Sequence, residues 1–254
     1  PRIAYENMIE AIDRAEKRIA EGNQQPFGQS SKKKQAGKLA SILDIAPILR
    51  RAIALSGREE GRPRRFILEH RSNDAILDFC GAPNVADLVR RGNATPEHVI
   101  HIKRYGLSLP TPYADDLESW VQIVKDSVAS YVAEYEEYFE RNNARVGGGK
   151  TMLDPMPRVF YIDDIGLFAA GPTQKAARVG ADVAEATIEV IRGAEGIDQF
   201  EALSEEDLFD IEYWSLEQVK LAKQSEKPLT RQVAVVTGGA SGLGLAIAQR
   251  LRQQ

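Results

Sequence analysis

Apolar residues recur at every third or fourth position over long stretches of this chain, which predicts amphipathic helices. The first predicted helix covers Arg2–Glu21, and its apolar side carries Ile3, Met8, Ile9, Ile12, Ala15 and Ile19. The same spacing predicts six further helices, over residues 39–56, 72–80, 84–91, 114–141, 173–192 and 204–223. A Ser-x-x-Asp capping pattern at Ser204 marks the start of the last of these.

Short apolar runs, rich in β-branched and aromatic residues, predict strands between the helices. These runs cover residues 65–71, 98–103, 158–162, 166–170 and 232–236. Strands that alternate with helices indicate an α/β fold. A charged, proline-containing linker at 225–230 separates a large region, residues 1–224, from a short final unit, residues 231–254.

The final unit carries the most specific motif of the chain, VVTGGASGLG at residues 235–244. An apolar run precedes it and a helical segment, 245–251, follows, which is the strand, glycine turn and helix of a dinucleotide-binding fold. Gly238 allows a tight turn, Gly242 lets the backbone approach a pyrophosphate, and Gly244 allows close packing of strand and helix. Free N–H groups at the helix N-terminus would face the phosphates. The predicted cofactor-binding residues are Thr237, Gly238, Ser241, Gly242, Leu243 and Gly244.

The spacing Thr-Gly-x-x-x-Gly-x-Gly resembles the cofactor motif of the short-chain dehydrogenase/reductase family, over residues 229–254. The resemblance implies a truncated Rossmann domain, of which the chain holds the first strand and helix, with NAD or NADP as cofactor. Ser241 is not basic, which favours NAD. The family's catalytic Ser, Tyr and Lys would lie beyond Gln254, so catalytic residues stay unknown. A glycine turn that binds no ligand is the alternative.

A second glycine-rich stretch, RVGGGKT at residues 145–151, imitates a phosphate-binding loop. The full pattern needs glycine where Ala144 stands, a strand before the loop and a helix after it. A long predicted helix precedes the loop here, and Pro155 and Pro157 disfavour a helix after it. The stretch therefore predicts a helix end followed by a turn.

The three histidines do not predict a metal site. On a strand over 98–103, His98 and His101 would face opposite sides, because their separation is odd, and His70 is remote in sequence. Polar residues crowd this run and leave a ligand-contacting loop open as an alternative: Thr95, Glu97, His98 and Lys103.

The stretch YIDDIGLFAAGPTQKAA, residues 161–177, has the order strand, Asp-Asp turn, Gly-Leu-Phe strand, Gly-x-Thr and Ala-rich helix. It resembles the late segment of class II aldolases, where a histidine before Gly-Leu-Phe is a zinc ligand. Ile165 occupies that position here and cannot bind a metal. The resemblance therefore implies the fold, with zinc as a cofactor whose ligands would precede Pro1.

An aldolase-like region followed by a dehydrogenase motif resembles the bifunctional rhamnulose-1-phosphate aldolase/alcohol dehydrogenase family, over most of residues 94–254. The resemblance implies zinc-dependent cleavage of a sugar phosphate to dihydroxyacetone phosphate and lactaldehyde, coupled to NAD(P)-dependent oxidation or reduction. Two alternatives stay open. One is a dehydrogenase with a non-catalytic aldolase-fold scaffold, which Ile165 favours. The other is an assembly module that uses EYWSLEQVKLAK, residues 212–223, as an interface helix.

The composition of the chain favours small molecules and further copies of the same chain as its binding partners. A net charge of −4 gives no reason to expect nucleic acid or an anionic membrane, and no apolar run is long enough to span a bilayer. A single cysteine, Cys80, is compatible with the cytoplasm. We expect a sugar phosphate or aldehyde as substrate and a homo-oligomer. We also expect a piece of a longer enzyme that is inactive alone, because Pro1 is followed at once by a helix and the final unit is too short for a complete domain.

Overall fold

The computed structural model describes residues 2–23, 25–27, 37–54, 65–215 and 229–253. The helices are α1 Arg2–Glu21, α2 Ile42–Ala52, α3 Asp74–Cys80, α4 Val85–Leu88, α5 Val99–Ile102, α6 Leu117–Arg145, α7 Gln174–Glu195, α8 Glu205–Glu212 and α9 Gly242–Gln253. The strands are β1 Ile67–Arg71, β2 Leu107–Leu109, β3 Val159–Ile162 and β4 Gly166–Gly171. A short 3-10 turn, Pro96–His98, leads into α5.

The four strands form one mixed sheet in the order β1-β4-β3-β2. The central strand β4 is antiparallel to both β1 and β3, and β2 lies parallel to β3 at the opposite edge. A tight turn joins β3 to β4, with Asp164 at φ 61°. Every residue of β3 and β4 is buried, because helices cover both faces of the sheet.

Alternate residues of β3 and β4 belong to two separate cores, as the two-residue period of a strand requires. Leu167 and Ala169 face a core built mainly from α3, α4 and α7. Phe168 and Ala170 face a core built mainly from α2 and α6. Helix α7 approaches the sheet through small buried residues, namely Ala177, Gly180, Ala181 and Ala184.

Side-chain caps begin several helices where the sequence predicts them. The Thr173 hydroxyl accepts the N–H of Ala176 at 3.1 Å at the start of α7. The Ser204 hydroxyl accepts the N–H of Asp207 at 3.1 Å at the start of α8. Because each cap satisfies a backbone donor that has no helical partner, the polar residues fix where these helices begin.

The α/β class is confirmed, as are α1, α6, α7, β1, β3 and β4 to within a few residues. The predicted strand over 98–103 is wrong, because Pro96 begins a helical turn that continues as α5. The predicted strand over 232–236 is also wrong, and these residues form no regular structure. Helix α8 ends at Glu212, and residues 216–223 of the predicted helix lie outside the described residues, as does most of the 225–230 linker.

None of the described helices is both long and apolar enough to cross a membrane. Helix α1 is exposed along its length and meets the rest of the protein near its end. There the N–H of Asn23 donates to the carbonyl of Gly196, at the end of α7, at 2.8 Å.

Candidate functional site

The glycine turn of the final unit has local geometry that only glycine tolerates well. Gly238 and Gly242 have positive φ angles, 67° and 52°. A Cβ atom on Gly244 would collide with the carbonyl oxygen of Gly238. Helix α9 begins at Gly242, so the turn leads directly into a helix N-terminus, as the dinucleotide motif requires. The turn and the helix of the motif are therefore present.

The strand of that motif is absent from the described residues. Val233 and Val235 are 69% and 90% exposed, although their sequence predicts a buried strand. A strand needs neighbouring strands that pair with its N–H and C=O groups. The described sheet contains only β1 to β4, so residues 232–236 pair with none of its strands. Thr237, Ser241 and Leu243 are all exposed. Cofactor binding by the residues of this turn stays a prediction.

Ile165, at the position where the aldolase resemblance implies a zinc ligand, lies in the turn between β3 and β4. Ile165 is buried in the core between α2 and α6. Its carbonyl oxygen lies 3.1 Å from Nε2 of His70, and the His70 ring packs against Phe168 at a centroid distance of 4.7 Å. His70 therefore supports the turn through a backbone contact.

The described residues do not fit the zinc ion that the aldolase resemblance implies. Within the described ranges, no group of three or more His, Cys, Asp or Glu side chains could hold a metal. His98 and His101 do not face opposite sides of a strand as predicted, because both lie in the helical stretch that starts at Pro96. We therefore derive no zinc-dependent step from these residues.

The GGGK stretch ends a helix, as predicted. Helix α6 stops at Arg145, and the three glycines that follow have φ angles of 86°, 81° and 82°. The Lys150 ammonium donates to the carbonyl of Tyr213 at 3.0 Å. Residues 151–157 form no helix, so the arrangement of a phosphate-binding loop is absent here.

A buried lysine at the end of α5 is the most unusual chemical group of the large region. Lys103 has φ 64° and ψ −178°, a backbone region that almost only glycine adopts. Its side chain is 5% exposed and lies 3.2 Å from Oε1 of Glu212 on α8. The side-chain amide of Asn93 donates to the Lys103 carbonyl at 3.0 Å and holds the strained backbone in place.

Three tyrosines complete what we call the Lys103 cluster: Lys103, Glu212, Tyr135, Tyr138 and Tyr213. The ammonium of Lys103 donates to the Tyr135 hydroxyl at 2.9 Å. The hydroxyls of Tyr135 and Tyr138 donate to the two carboxylate oxygens of Glu212 at 2.8 and 3.1 Å. Tyr213 lies 2.7 Å from the Tyr135 hydroxyl, oxygen to oxygen. Each charged group of the cluster is thus hydrogen-bonded, as burial demands.

Burial governs the ionisation of this cluster. Desolvation lowers the pKa of Lys103, and the opposing charge of Glu212 only partly offsets it. Desolvation and the Glu212 charge both raise the pKa of Tyr135 and of Tyr138, which therefore stay neutral hydrogen-bond donors. A strained, buried amine beside a carboxylate is the kind of group that functional sites contain, although structural ion pairs share this property.

Sequence patterns do not indicate this cluster. Lys103 stands at the end of the run over 98–103 that predicts a strand, and Tyr135 fits the apolar side of the predicted helix over 114–141. The signal that could have indicated it is a glutamate, Glu212, four positions after Leu208 and therefore on the same apolar side of the predicted helix. Of the residues proposed for a ligand-contacting loop, Thr95 and Glu97 are exposed, whereas Lys103 is buried.

Two comparisons with known proteins match this chain. The family model described as "Aldolase class II, second domain" matches residues 40–221, more than two thirds of the chain, and this range includes the whole Lys103 cluster. The "Uncharacterized oxidoreductase YuxG" of Bacillus subtilis (strain 168) is 31% identical over 252 residues. The alignment covers 97% of this chain and 35% of the relative, so the chain spans about a third of that protein's length. No solved structure matches.

Proposed function

The chain belongs to the class II aldolase family as its second domain, and from that premise we propose that it is part of a bifunctional enzyme of sugar catabolism. The enzyme would cleave a sugar 1-phosphate of the rhamnulose-1-phosphate type into dihydroxyacetone phosphate and lactaldehyde. A short-chain dehydrogenase unit would oxidise or reduce the aldehyde with NAD or NADP. The observation that carries this proposal is that a glycine turn suited to a dinucleotide, residues 237–244, follows the aldolase domain in one chain.

The aldolase half of the proposal needs zinc, which stabilises the enediolate formed on cleavage as a Lewis acid. Ile165 stands at the position of a zinc ligand, and the described residues offer no other metal site. We therefore place the ligands of the proposed zinc ion in a part of the enzyme outside the described residues. The role left to this domain is to support that site, not to bind the metal.

The dehydrogenase half uses the glycine turn. When bound, the nicotinamide cofactor would accept or return a hydride. Backbone N–H groups at the start of α9 would bind the pyrophosphate, because no earlier helical carbonyl accepts them. Gly238 and Gly242 would let the backbone come close to the phosphates, and the relative named as an oxidoreductase supports this part of the proposal.

One variant of the full-length enzyme separates the two activities. Gly244→Val places a side chain against the Gly238 carbonyl, so it should abolish NAD binding in calorimetry and aldehyde oxidation. Release of dihydroxyacetone phosphate from rhamnulose 1-phosphate should persist. Gly147→Val is the control: its φ of 86° strains a valine backbone, but the new side chain would face open space and lies far in sequence from the glycine turn. The proposal is wrong if the wild-type enzyme shows neither activity, or if Gly244→Val binds NAD normally.

A second candidate function is a dehydrogenase in which the aldolase-family domain is a non-catalytic scaffold. Ile165 at the ligand position favours it. The same full-length enzyme decides between the two, because the scaffold alternative predicts aldehyde oxidation without any cleavage of sugar phosphates. Residues 1–254 alone should catalyse neither reaction above a buffer control.

The proposal also covers the choice of cofactor and the oligomeric state. We propose NAD in preference to NADP, because Ser241 offers no positive charge to a 2′-phosphate. The ratio of kcat/KM for the two cofactors tests this, and a strong NADP preference would reverse it. We also propose a homo-oligomer, which light scattering on the full-length enzyme would test.

A further inference from the structure

Tyr213 and Arg231 both interact with the segment at residues 150–158 or with the side chains packed against it. Tyr213 accepts the Lys150 ammonium at its carbonyl and the N–H of Leu153 at its hydroxyl, at 3.0 and 3.2 Å. Shortly after Leu229, the guanidinium of Arg231 lies 4.6 Å from the centroid of the Phe66 ring.

The surface that receives Arg231 is already ordered by its own contacts. Phe66 is fully buried, and its carbonyl accepts a hydrogen bond from Nε of Arg50 at 2.8 Å. Arg158 lies over the same ring at 4.6 Å, forms an ion pair with Asp154 and donates to the Met156 carbonyl at 3.0 Å. An aromatic ring beside a carboxylate is a suitable environment for a further guanidinium.

Asp154 is the group of this surface whose charge attracts Arg231. Burial alone would raise the pKa of Asp154, but the positive charges of Arg158, Lys103 and Arg231 outweigh it and hold that pKa below its ordinary value. Asp154 therefore stays ionised and attracts all three cations. It also connects the surface to the Lys103 cluster, because Lys103 interacts with both Asp154 and Glu212.

The backbone at Arg231 is strained, and a linker without contacts would relax such strain. Arg231 has φ 71°, a left-handed conformation that is unfavourable for any residue other than glycine. The N–H of Gln232 donates to the carbonyl of Leu229 at 3.2 Å, which closes a turn around Arg231. Strain of this kind persists where surrounding contacts hold the residue, and the contacts here are those with the aldolase domain.

We propose that Phe66, Asp154 and Arg158 form an internal docking surface, and that Arg231 is the side chain that fixes the final unit of the chain to it. The occupant is the segment at residues 229–232, and its guanidinium provides the recognised chemistry. The docked segment fixes the distance between the glycine turn and the Lys103 cluster. Residues 232–253 therefore do not move independently of the aldolase domain. The proposal does not depend on nucleotide binding or on either enzymatic activity.

The test is a distance measurement on the 254-residue chain without any nucleotide. Leu43→Cys on α2 and Val235→Cys provide exposed positions for spin labels, since the wild-type side chains are 84% and 90% exposed. Cys80 should not react, because it is buried and burial raises the pKa of its thiol to about 12. Pulsed electron paramagnetic resonance then reports the distribution of distances between the labels.

We expect one narrow distribution in the labelled parent protein. Arg231→Ala and Arg231→Glu should lose the single distance and give a broad distribution, with an unchanged circular dichroism spectrum, because Arg231 is not part of the core. Arg252→Ala, an exposed arginine of the same unit, is the matched control and should keep the narrow distribution. The proposal is overturned if the parent distribution is already broad, or if both Arg231 variants leave it narrow.

Discussion

Two stretches of this chain have the same local pattern, an apolar run, a glycine and an Ala-containing helix, but they have different structures. In the first, β4 is fully buried between β1 and β3 and leads into α7. In the second, residues 232–236 form no strand, although α9 follows them as predicted. The comparison shows that the turn and the helix are set locally, whereas a strand exists only where neighbouring strands pair with it.

Glycine has the same function at both turns. A Cβ atom on Gly171, at the end of β4, would collide with the backbone N of Ala177, and one on Gly244 would collide with the Gly238 carbonyl. Both sites therefore bring two backbone segments closer than any other residue permits. The difference between the regions lies in the paired sheet and the packed cores, and the predictions below test that difference.

The largest effect should follow from breaking the buried ion pair of the aldolase domain. Lys103→Met leaves the Glu212 carboxylate buried without its cation, which should lower the free energy of unfolding by about 3–5 kcal/mol. Urea unfolding measures this loss. The control is Lys17→Met, which removes an exposed ion pair of α1 and should cost less than about 0.5 kcal/mol.

A second variant shows how much of the stability lost in Lys103→Met comes from the unpaired Glu212 charge and how much from lost packing. Adding Glu212→Leu to Lys103→Met removes the stranded charge and should restore part of the lost stability. A loss below about 1 kcal/mol in Lys103→Met would show that the cluster does not stabilise the domain as described.

A pair of glycines with positive φ compares the turn between β3 and β4 with the glycine turn at residues 237–244. Gly166→Ala should lower the free energy of unfolding by about 3 kcal/mol, because φ is 112° and the new Cβ atom would meet the carbonyl of Arg71. Gly238→Ala also requires a positive φ, but no atom lies near its Cβ position. It should change global unfolding by less than about 1 kcal/mol. Equal losses in thermal unfolding would contradict the contrast.

Two valines test the packing directly. Val159→Ala in β3 removes two buried methyl groups and should cost about 2 kcal/mol, since Val159 is 1% exposed. Val235→Ala should cost less than about 0.5 kcal/mol, because the side chain is already in water. Both values come from urea unfolding, and a similar cost at the two positions would mean that residues 232–236 are buried in solution.

The smallest expected effect is on the stability of the protein at acidic pH. Burial alone would raise the pKa of Glu205, but Arg141, Arg104 and Asn142 outweigh it and hold the pKa below the ordinary value of 4.5. A carboxylate of this kind stabilises the folded state above its ordinary pKa, and the stabilisation is lost as the pH falls through the lower, folded pKa. Stability should therefore decline below pH 4.5.

The variant Glu205→Gln tests the cause of this decline. It should make the loss of stability on acidification shallower, whereas Glu201→Gln, at a neighbouring exposed position, should leave it as in the wild type. An identical acid transition in Glu205→Gln would show that other groups cause it.

The sequence predicted the parts of the fold that depend on local signals. The long apolar pattern of α6, the Ser204 capping pattern of α8 and the apolar runs of β3 and β4 all identified their elements. The run at 98–103 failed because a short apolar segment fits a helix as well as a strand, and Pro96 favours the helical turn. The run at 232–236 failed because no local signal reports whether neighbouring strands are present.

The site was harder to predict than the fold. The glycine turn was recognised because its residues are adjacent in sequence. The Lys103 cluster brings together residues from α5, α6 and α8. Lys103 and Glu212 are 109 positions apart in the sequence. Tertiary packing creates this cluster, so the spacing of its residues along the chain does not indicate which of them meet, although a glutamate on the apolar side of a helix indicates a buried charge.

Amide hydrogen exchange on the 254-residue chain tests the central claim that the aldolase domain has a completed core while the glycine turn at residues 237–244 has no paired strand before it. The account predicts slow exchange in β3 and α7, and exchange close to the unprotected rate at Val233, Val235 and Val236. It also predicts no measurable NAD binding by calorimetry. Slow exchange at Val235 and Val236 comparable to that of β3, together with NAD binding, would contradict it.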